Sequence, residues 1–576
     1  MLTELGPFWP NPDGRTLTEN VYSWNKIANV IFLESPRRVG FSYQNLTENS
    51  DDVFNDKKTA SDNFLALMDF LSVYPEYYDR PFYVTGESYA GVYIPTLVSL
   101  IIDKIQAGEA PGLNLVGVMI GNGKMSDKWQ FNSIISLLYN RGVYNPAEMN
   151  ELSGCCNKSE PLRDCDFSQW VKFDSHGDAH PINDSAGQET ECGKKRIATT
   201  VSTLRREQML LRAKLRQKQP QQKDLKLMDT SFEHYYDLKG FYDQKVNYAS
   251  TDSEGAFQCY NTESGEQWLN WDDVRAALHI SAAAAPYSEC SDYVFERYIK
   301  QNSDTSPVFD HIVESGYKLR LLVYNGDLDT SCNFVGDEWF MEALASRHSM
   351  PQVMDQQPWW FRDVIAGYYQ RFTYQQSFTV DILTVKGAGH MVPTDRPGPT
   401  LQMFKNFLDA ERNYSIPLPF GRDRRPLKPE YETLLEIAAL ESPAVMLPFR
   451  VRRSISAEQL PKQQASLVAP PNGSKEHDRI EELPGLTFDL NFAQYAGYLT
   501  GADSENYLYY WLVESQNEPE VDPLIVWLNG GPGCSSLRGL MEEIGPFRAS
   551  RNGSRLFENP FAWNKVSWWL LGYLIT

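Results

Sequence analysis

PFYVTGESYAGVYIPTL, at residues 81–97, combines three local patterns. Residues 81–85 are aromatic and β-branched, which favours a strand, and the apolar run from residue 92 favours a helix. Between them lies Gly86-Glu87-Ser88-Tyr89-Ala90-Gly91, a glycine-flanked turn similar to G-x-S-x-G but with Ala90 at the last position of that motif. A serine in such a strand–turn–helix setting is exposed at the top of a sheet. Ser88 is therefore a candidate nucleophile, the alternative being an ordinary tight turn.

Two later segments supply a candidate acid and a candidate base. LLVYNGDLD, at 321–329, reads as a strand ending in a turn with Asp327 and Asp329, and FTVDILTVKGAGHMVP, at 378–393, as a strand followed by His390. The chain order Ser, Asp, His is that of α/β-hydrolases, and each residue follows a strand. His390 would accept the serine proton, and an aspartate would orient it. Spacing does not choose between the two aspartates, one of which would only shape the turn.

A glycine-rich loop is the candidate oxyanion hole. It is NGGPGCSS, at 529–536, and it follows the strand at 523–528. Backbone N–H groups in such a loop can point at a developing oxyanion, although a tight turn would use the same glycines. The loop lies after the Ser, Asp and His segments in the chain.

Four strings resemble the serine carboxypeptidases, with the cathepsin A-like branch closest: NGGPGCSSL, GESYAGVYIP, YNGDLDTSCNFVGDEWF and KGAGHMVPTDRP. The resemblance covers the chain except roughly 193–250 and 413–478. It implies an α/β-hydrolase fold, a mostly parallel sheet flanked by helices, with a helical cap. It also implies release of C-terminal residues from peptides through an acyl-enzyme, with no cofactor and no metal. The alternatives are an acyltransferase on the same scaffold and an incomplete chain that acts as a protective binding partner.

The resemblance also implies roles for individual residues. The triad acid is Asp329, three residues before Cys332, rather than Asp327. The oxyanion-hole donors are the backbone N–H groups of Gly531 and Tyr89. Asn529 and Glu87 bind the substrate carboxylate, and Glu543 supports Glu87. A glutamate donates to a carboxylate only when it is protonated, so acidic pH is expected to favour activity.

Cysteines and sequons indicate passage through the secretory route. The resemblance implies the disulfides Cys155–Cys192, Cys156–Cys165 and Cys290–Cys534, with Cys332 unpaired and Cys259 without a partner. N-x-S/T sequons occur at Asn45, Asn157, Asn183, Asn413, Asn472 and Asn552. We expect a lysosomal or secreted enzyme whose signal peptide is missing from this sequence.

In the serine carboxypeptidases that this chain resembles, the oxyanion loop comes before the elbow, whereas here it comes after His390. A repeat in the sequence explains this order. Residues 2–26 align without gaps to residues 541–565, and 11 of these 25 positions are identical. The chain thus reads as the rear of one carboxypeptidase copy followed by the front of a second. Either it is a product of tandem copies, neither of them complete, or residues 481–545 dock onto 1–412 as in a circular permutant.

This reading predicts five regions. They are a first part of the hydrolase core with the elbow (1–124), a cap (125–310), a second core part with Asp and His (311–412), a linker (413–478) and the front of the second copy (479–576). A basic, Gln-rich segment at 205–226 is either a solvated helix or loop or an excised loop. The apolar run at 566–576 is too short to cross a bilayer.

Charge and local sequence limit the partners. A net charge of −21 over 576 residues argues against nucleic-acid binding. Peptides with a free C-terminus are the expected partners, a homodimer is left open, and no membrane span is expected. Arg37 and Arg38 stand where the family has small residues; they would narrow the pocket, favour acidic substrates or point to solvent.

Overall fold

The structure is a computed structural model of the chain. It describes residues 8–10, 17–19, 24–142, 145–146, 149, 163, 171–173, 179–181, 263–362, 364–419, 474–486, 489–501, 506–537, 540, 546–549 and 556–558. All structural statements below concern these residues.

The strands and helices are numbered in chain order. The strands are β1 (Phe8–Pro10), β2 (Leu17–Glu19), β3 (Asn29–Leu33), β4 (Tyr43–Gln44), β5 (Phe54–Asn55), β6 (Pro81–Ser88), β7 (Asn114–Gly123), β8 (Val171–Phe173), β9 (Ala179–Pro181), β10 (Tyr298–Ile299), β11 (Leu319–Gly326), β12 (Gln352–Phe361), β13 (Val364–Tyr374), β14 (Phe378–Val385), β15 (Gln494–Thr500), β16 (Asn506–Val513), β17 (Leu524–Leu528), β18 (Phe547–Ala549) and β19 (Leu556–Glu558). The helices are α1 (Asp56–Val73), α2 (Ala90–Gln106), α3 (Asp127–Asn140), α4 (Glu263–Leu269), α5 (Asp272–Ala277), α6 (Asp292–Arg297), α7 (Ser306–Glu314), α8 (Phe334–Arg347), α9 (Val392–Asp395), α10 (Pro397–Leu408) and α11 (Lys475–Asp478), with a 3₁₀ turn at Pro75–Tyr77.

One eleven-stranded sheet organises the molecule. Its order is β12-β13-β14-β11-β7-β6-β17-β3-β16-β15, and β4 also pairs with β16. The six strands from β14 to β3 are mutually parallel, and antiparallel strands lie at both ends. Helices flank this mostly parallel sheet, which is the α/β-hydrolase fold expected from the sequence.

Strands from both ends of the chain share this sheet. β17 lies between β6 and β3, with Val526 opposite Val84 on one side and Ile31 on the other. All five residues of β17 are buried. The relation of this strand order to a tandem copy or a permutation stays a hypothesis.

The sheet has an apolar core on each face. Along β17, Ile525 and Trp527 join one buried cluster, whereas Leu524, Val526 and Leu528 join the other. This alternation is expected for a strand with both faces covered. The Trp24 ring stacks on Phe404 and meets the Trp527 ring edge-on, which ties the two ends of the chain together in one core.

Predicted elements match the structure closely in the parallel part of the sheet. The sequence predicts buried strands at 27–33, 81–85, 115–120, 319–325, 378–385 and 523–528, and helices at 53–73 and 92–106. The strands correspond to β3, β6, β7, β11, β14 and β17, and the helices to α1 and α2. The antiparallel strands β12, β13, β15 and β16 were not among the predicted elements.

The described ends of the predicted linker are part of the fold. Tyr414 is fully buried, and its hydroxyl donates to Asp381 over 2.6 Å. Asp478 is buried as well and accepts a hydrogen bond from Tyr510. Of the predicted cap, only 125–142, a few short pieces and 263–310 lie among the described residues, as α3 to α6, β8 to β10 and the start of α7; the basic segment at 205–226 and the tail at 566–576 lie outside them.

Both copies of the repeat form the same local structure. β1 and β2 pair as an antiparallel hairpin, and β18 and β19 do so with the equivalent register. Among the described helices, none combines the length and the apolar character that a bilayer crossing needs.

Candidate active site

The turn at Ser88 has the geometry of an elbow. Ser88 ends β6 and has a φ of 61°, a left-handed conformation that a serine rarely adopts. Both flanking glycines are required by close packing. A Cβ on Gly86 would lie 2.1 Å from the carbonyl oxygen of Leu528, and one on Gly91 would lie 2.6 Å from the nitrogen of Lys124. The turn therefore sits tightly between the loops that follow β17 and β7, at the carboxyl edge of the parallel strands.

An aspartate and a histidine form a pair at the same edge. His390 Nδ1 lies 2.7 Å from Asp329 Oδ2, and Asp329 is 4% exposed. Burial would raise the pKa of Asp329, but the charge and hydrogen bond of His390, with the N–H groups of Ser331 and Cys332, hold it below its usual range. An ionised Asp329 accepts a hydrogen bond from the Nδ1–H group, so Nε2 is the basic nitrogen of a neutral His390.

Asp327 has different surroundings. Its Oδ1 accepts the N–H of Gly387 over 2.7 Å, which fixes the start of the loop that carries His390. Burial raises the pKa of Asp327, against the lowering effect of that hydrogen bond. The structure thus brings Asp329, and not Asp327, against His390.

An asparagine that the sequence analysis does not single out orients Asp329. Asn122 Nδ2 donates to Asp329 Oδ2 over 2.7 Å, while its Oδ1 accepts the N–H of Gly326 over 3.1 Å. Asn122 is fully buried and has a φ of 40°. The available signal is a polar residue at the end of the apolar strand β7, which is a common pattern and therefore weak. Cys332, a buried free thiol, also donates its backbone N–H to Asp329.

The buried carboxyl of Asp337 links the segments around Asp329 and Asn122 through hydrogen bonds. Asp337, in the first turn of α8, accepts hydrogen bonds from Asn325, Gly123 and Gln130. It therefore joins β11, β7 and α3 at the point where Asp329 and Asn122 meet. Burial raises the pKa of Asp337 well above its usual range.

The glycine-rich loop lies against the elbow. A Cβ on Gly530 would lie 2.3 Å from the Tyr89 nitrogen and 2.8 Å from the Ser88 Cβ. Gly531 has a φ of +117°, a backbone conformation that residues other than glycine rarely adopt. The structure therefore packs the loop that carries Gly531 against the backbone of Ser88 and Tyr89.

A buried glutamate holds this loop in position. The Ser535 hydroxyl donates to the Glu34 carboxyl, which also accepts the N–H of Phe41. Glu34 is fully buried, and this burial raises its pKa from 4.5 to about 8, despite the lowering effect of the two hydrogen bonds. Glu34 is not among the predicted site residues, because an acidic residue at a strand end has no distinguishing sequence signal.

Two of the expected carboxylate-binding residues are adjacent. Asn529 Nδ2 donates to Glu87 Oε1 over 3.3 Å, and the two residues are 3% and 5% exposed. Asn529 Oδ1 accepts the indole N–H of Trp527 over 2.7 Å, which fixes the amide orientation. Glu543, the third expected member, lies outside the described residues.

A disulfide ties the loop to α6. Cys290 and Cys534 are bonded across 244 residues of chain, as the resemblance implies. Backbone hydrogen bonds from Ser291 to Gly533 and from Ser535 to Glu289 reinforce this connection. Cys155, Cys156, Cys165, Cys192 and Cys259 lie outside the described residues.

Arg37 and Arg38 both pair with aspartates. Arg37 is 2% exposed and binds Asp51 and Asp62, so it is a buried structural residue. Arg38 pairs with Asp52 and stacks over Tyr293 at 3.9 Å. Neither a solvent-facing nor a substrate-narrowing role fits Arg37.

Two of the six sequons lie among the described residues. Asn45 is half-buried and Asn413 is exposed; Asn157, Asn183, Asn472 and Asn552 lie outside the described residues.

Within the described ranges, no group of three or more His, Cys, Asp or Glu side chains is arranged to hold a metal ion.

Most of the chain is similar in sequence to known proteins. A family sequence model described as serine carboxypeptidase matches residues 1–410 and 484–570. Serine carboxypeptidase ctsa-3.1 of Caenorhabditis elegans is 33% identical over 454 residues, which cover 72% of this chain and 78% of that protein. The lysosomal protective protein of Mus musculus is 32% identical over 433 residues, covering 71% and 81%. The crystal structure of Kex1(Δ)p, a prohormone-processing carboxypeptidase from Saccharomyces cerevisiae, is 19% identical with a TM-score of 0.46, covering 70% of this chain and 79% of that one.

Proposed function

The chain belongs to the serine carboxypeptidase family, and from that premise we propose how it hydrolyses the C-terminal bond of a peptide. Ser88 attacks the carbonyl carbon, and His390 Nε2 accepts the hydroxyl proton. Asp329 holds the imidazole and stabilises its cation. His390 then delivers the proton to the leaving amine. In the second half of the reaction His390 takes a proton from water as the water attacks the acyl-enzyme, and it returns this proton to Ser88 as the acyl–Ser88 bond breaks. The observation that carries this proposal is the 2.7 Å contact between His390 and Asp329 at the same sheet edge as the Ser88 elbow.

The oxyanion would be bound by backbone N–H groups of Gly531 and Tyr89. The packing of Gly530 against the Tyr89 nitrogen and the +117° φ of Gly531 support this assignment. Donors fixed before the reaction stabilise the charge that develops on the carbonyl oxygen. The disulfide at Cys534 and the Glu34–Ser535 hydrogen bond keep the loop in this position.

The exopeptidase character would come from Asn529 and Glu87, with Glu543 supporting Glu87. Asn529 can donate to a substrate carboxylate at any pH, whereas Glu87 can donate only when protonated. Activity is therefore expected to be high at acidic pH and to fall as Glu87 ionises. This assignment, together with the lysosomal protective protein among the relatives, supports a lysosomal or secreted location.

Two measurements test this function. A fluorophosphonate probe should label Ser88 in the folded protein, and labelling should be lost in the His390→Ala variant. Blocked dipeptides with a free C-terminus should be cleaved, whereas the same peptides carrying a C-terminal amide should not. An unlabelled Ser88 in correctly folded protein would argue against the proposal.

The pH dependence tests the carboxylate site separately. Glu87→Gln keeps a donor at every pH, so its activity should persist at neutral pH, where wild-type activity has fallen. A pH profile of kcat/KM on one free-acid dipeptide measures this difference. An unchanged acid preference in the variant would assign the pH dependence to another group.

Neither alternative function is favoured. The family model and the relative ctsa-3.1 are both described as serine carboxypeptidases. The proposal therefore remains peptide hydrolysis.

A further inference from the structure

A lysine lies directly beside the candidate nucleophile. Lys124 follows the last residue of β7, and its backbone N–H donates to the carbonyl oxygen of Ser88 over 2.8 Å. β7 and β17 flank β6 on opposite sides, so Lys124 and Asn529 lie on opposite sides of Ser88. A peptide whose terminal carboxylate is bound at Asn529 therefore directs its acyl portion towards Lys124.

A second ammonium group lies near the same aromatic ring. The Nζ atoms of Lys124 and Lys300 are 5.8 Å and 5.6 Å from the centroid of the Tyr89 ring. These distances are within the range of cation–π attraction. Tyr89 is 2% exposed, and its hydroxyl donates to Asp56 over 2.9 Å, so the ring is a fixed platform for both cations.

Two carboxylates near the Tyr89 ring leave the Lys124 ammonium group accessible to a substrate. Asp56 accepts hydrogen bonds from Tyr89, Gln301 and Asn302, so its charge is satisfied locally. Asp127 pairs with Lys124 at 2.7 Å, but the two side chains are 51% and 30% exposed. An exposed pair of this kind contributes little, so a substrate carboxylate can replace Asp127 as the partner of Lys124.

We propose that Lys124, with Lys300 nearby, makes this enzyme selective for peptides whose residue on the acyl side of the cleaved bond is acidic. The inference rests on the proposed function, because that function sets the direction in which the peptide lies. Lys124 would bind the acidic side chain as an ion pair, and Asp127 would compete with it.

Blocked dipeptides Z-Glu-Phe and Z-Gln-Phe test the proposal, because they differ in charge and hardly in shape. At pH 6.0 the glutamate is ionised, since its usual pKa is about 4.3. For the wild type, kcat/KM for Z-Glu-Phe should exceed that for Z-Gln-Phe by about fivefold, the upper range of one exposed ion pair. The ratio should fall to about one in Lys124→Met, survive in Lys124→Arg, and rise in Asp127→Asn.

The opposite signs of the Lys124 and Asp127 variants distinguish selectivity from a general disturbance. Lys104→Met is the matched control, because Lys104 also forms an exposed pair, with Glu109, at the far end of α2. It should keep the wild-type ratio. A wild-type ratio of one, or a ratio that Lys124→Met leaves unchanged, would overturn the proposal.

Binding separates this inference from the proposed function. In Ser88→Ala, calorimetry should give a Kd for Z-Glu-Phe about fivefold below that for Z-Gln-Phe, and Lys124→Met in the same background should remove the difference. This result together with no turnover by the wild type would leave the inference standing and contradict the proposed function. Equal Kd values for the two peptides would overturn the inference.

Discussion

Asp327 and Asp329 lie two positions apart but do different work. In Asp329→Asn, the amide would favour the wrong tautomer of His390, and we expect kcat to fall by about 10³–10⁴-fold. Asp327→Asn keeps an oxygen that accepts the Gly387 N–H, so its kcat should stay within about tenfold of the wild type. Steady-state kinetics on one blocked dipeptide measures both. A larger loss in Asp327→Asn, with both variants folded, would reverse the assignment.

Asn122 acts on the triad through Asp329. Asn122→Ala removes a 2.7 Å donor to Asp329, so the pKa of this carboxyl should rise towards its usual value. The acid limb of the kcat profile should then move to higher pH, and kcat should fall about tenfold with little change in KM. Asn114→Ala is the control, since Asn114 lies at the other end of β7 and donates only to the exposed Asp79 carbonyl. An unmoved acid limb would leave Asn122 with a purely structural role.

The site residues differ in whether the sequence around them is enough to identify them. Ser88 and His390 are marked by glycines and by the strands before them, which is a local pattern. Asp329 is not marked locally, because Asp327 has the same setting, and only the family resemblance selects it. Asn122 and Glu34 act through contacts with residues 207 and 501 positions away, which no local pattern records.

A buried carboxyl helps to hold the loop that begins at Asn529. Glu34 has a pKa of about 8 in the folded protein against 4.5 ordinarily, so the folded state holds this proton more tightly than the unfolded state. The contribution to stability is therefore fully present below about pH 4.5 and falls as the pH rises to about 8. Glu34→Gln should lack this slope. Between pH 4.5 and 8 the wild type should lose on the order of 4 kcal/mol more than the variant.

Urea unfolding at several pH values measures this slope. Glu48→Gln, which changes an exposed glutamate, should keep the wild-type pH dependence. Equal slopes in the wild type and Glu34→Gln would mean that Glu34 is ionised in the folded protein across this range.

Parallel strands were easier to predict than antiparallel ones. β3, β6, β7, β11, β14 and β17 are short apolar runs buried on both faces, and their composition alone indicates a strand. β12 is mostly exposed, so its identity as a strand depends on pairing with β13, which is information that a local window does not contain. β16 is different, because its sequence NYLYYWLV is aromatic and buried, and this composition by itself favours a strand.

The position of β17 decides whether the molecule can work at all. Without it, β3 and β6 have no common neighbour, and the loop at 529–536 does not reach Ser88. The motif strings predict that this segment belongs with the elbow. They cannot predict that it docks within the same chain, because a second copy could supply the same strand.

Val526 and Val521 give a matched test of this docking. Val526 is fully buried at the centre of β17, whereas Val521 is 62% exposed just before the strand. Val526→Asp would bury an unpaired charge between β6 and β3, so we expect a loss of at least about 3 kcal/mol of stability and of peptidase activity. Val521→Asp should change stability by no more than about 0.5 kcal/mol. Thermal unfolding and activity, measured on both full-length variants, check the prediction. If Val526→Asp matched Val521→Asp in both, β17 would lie outside the sheet in solution, and the Ser88 elbow would lack its oxyanion loop.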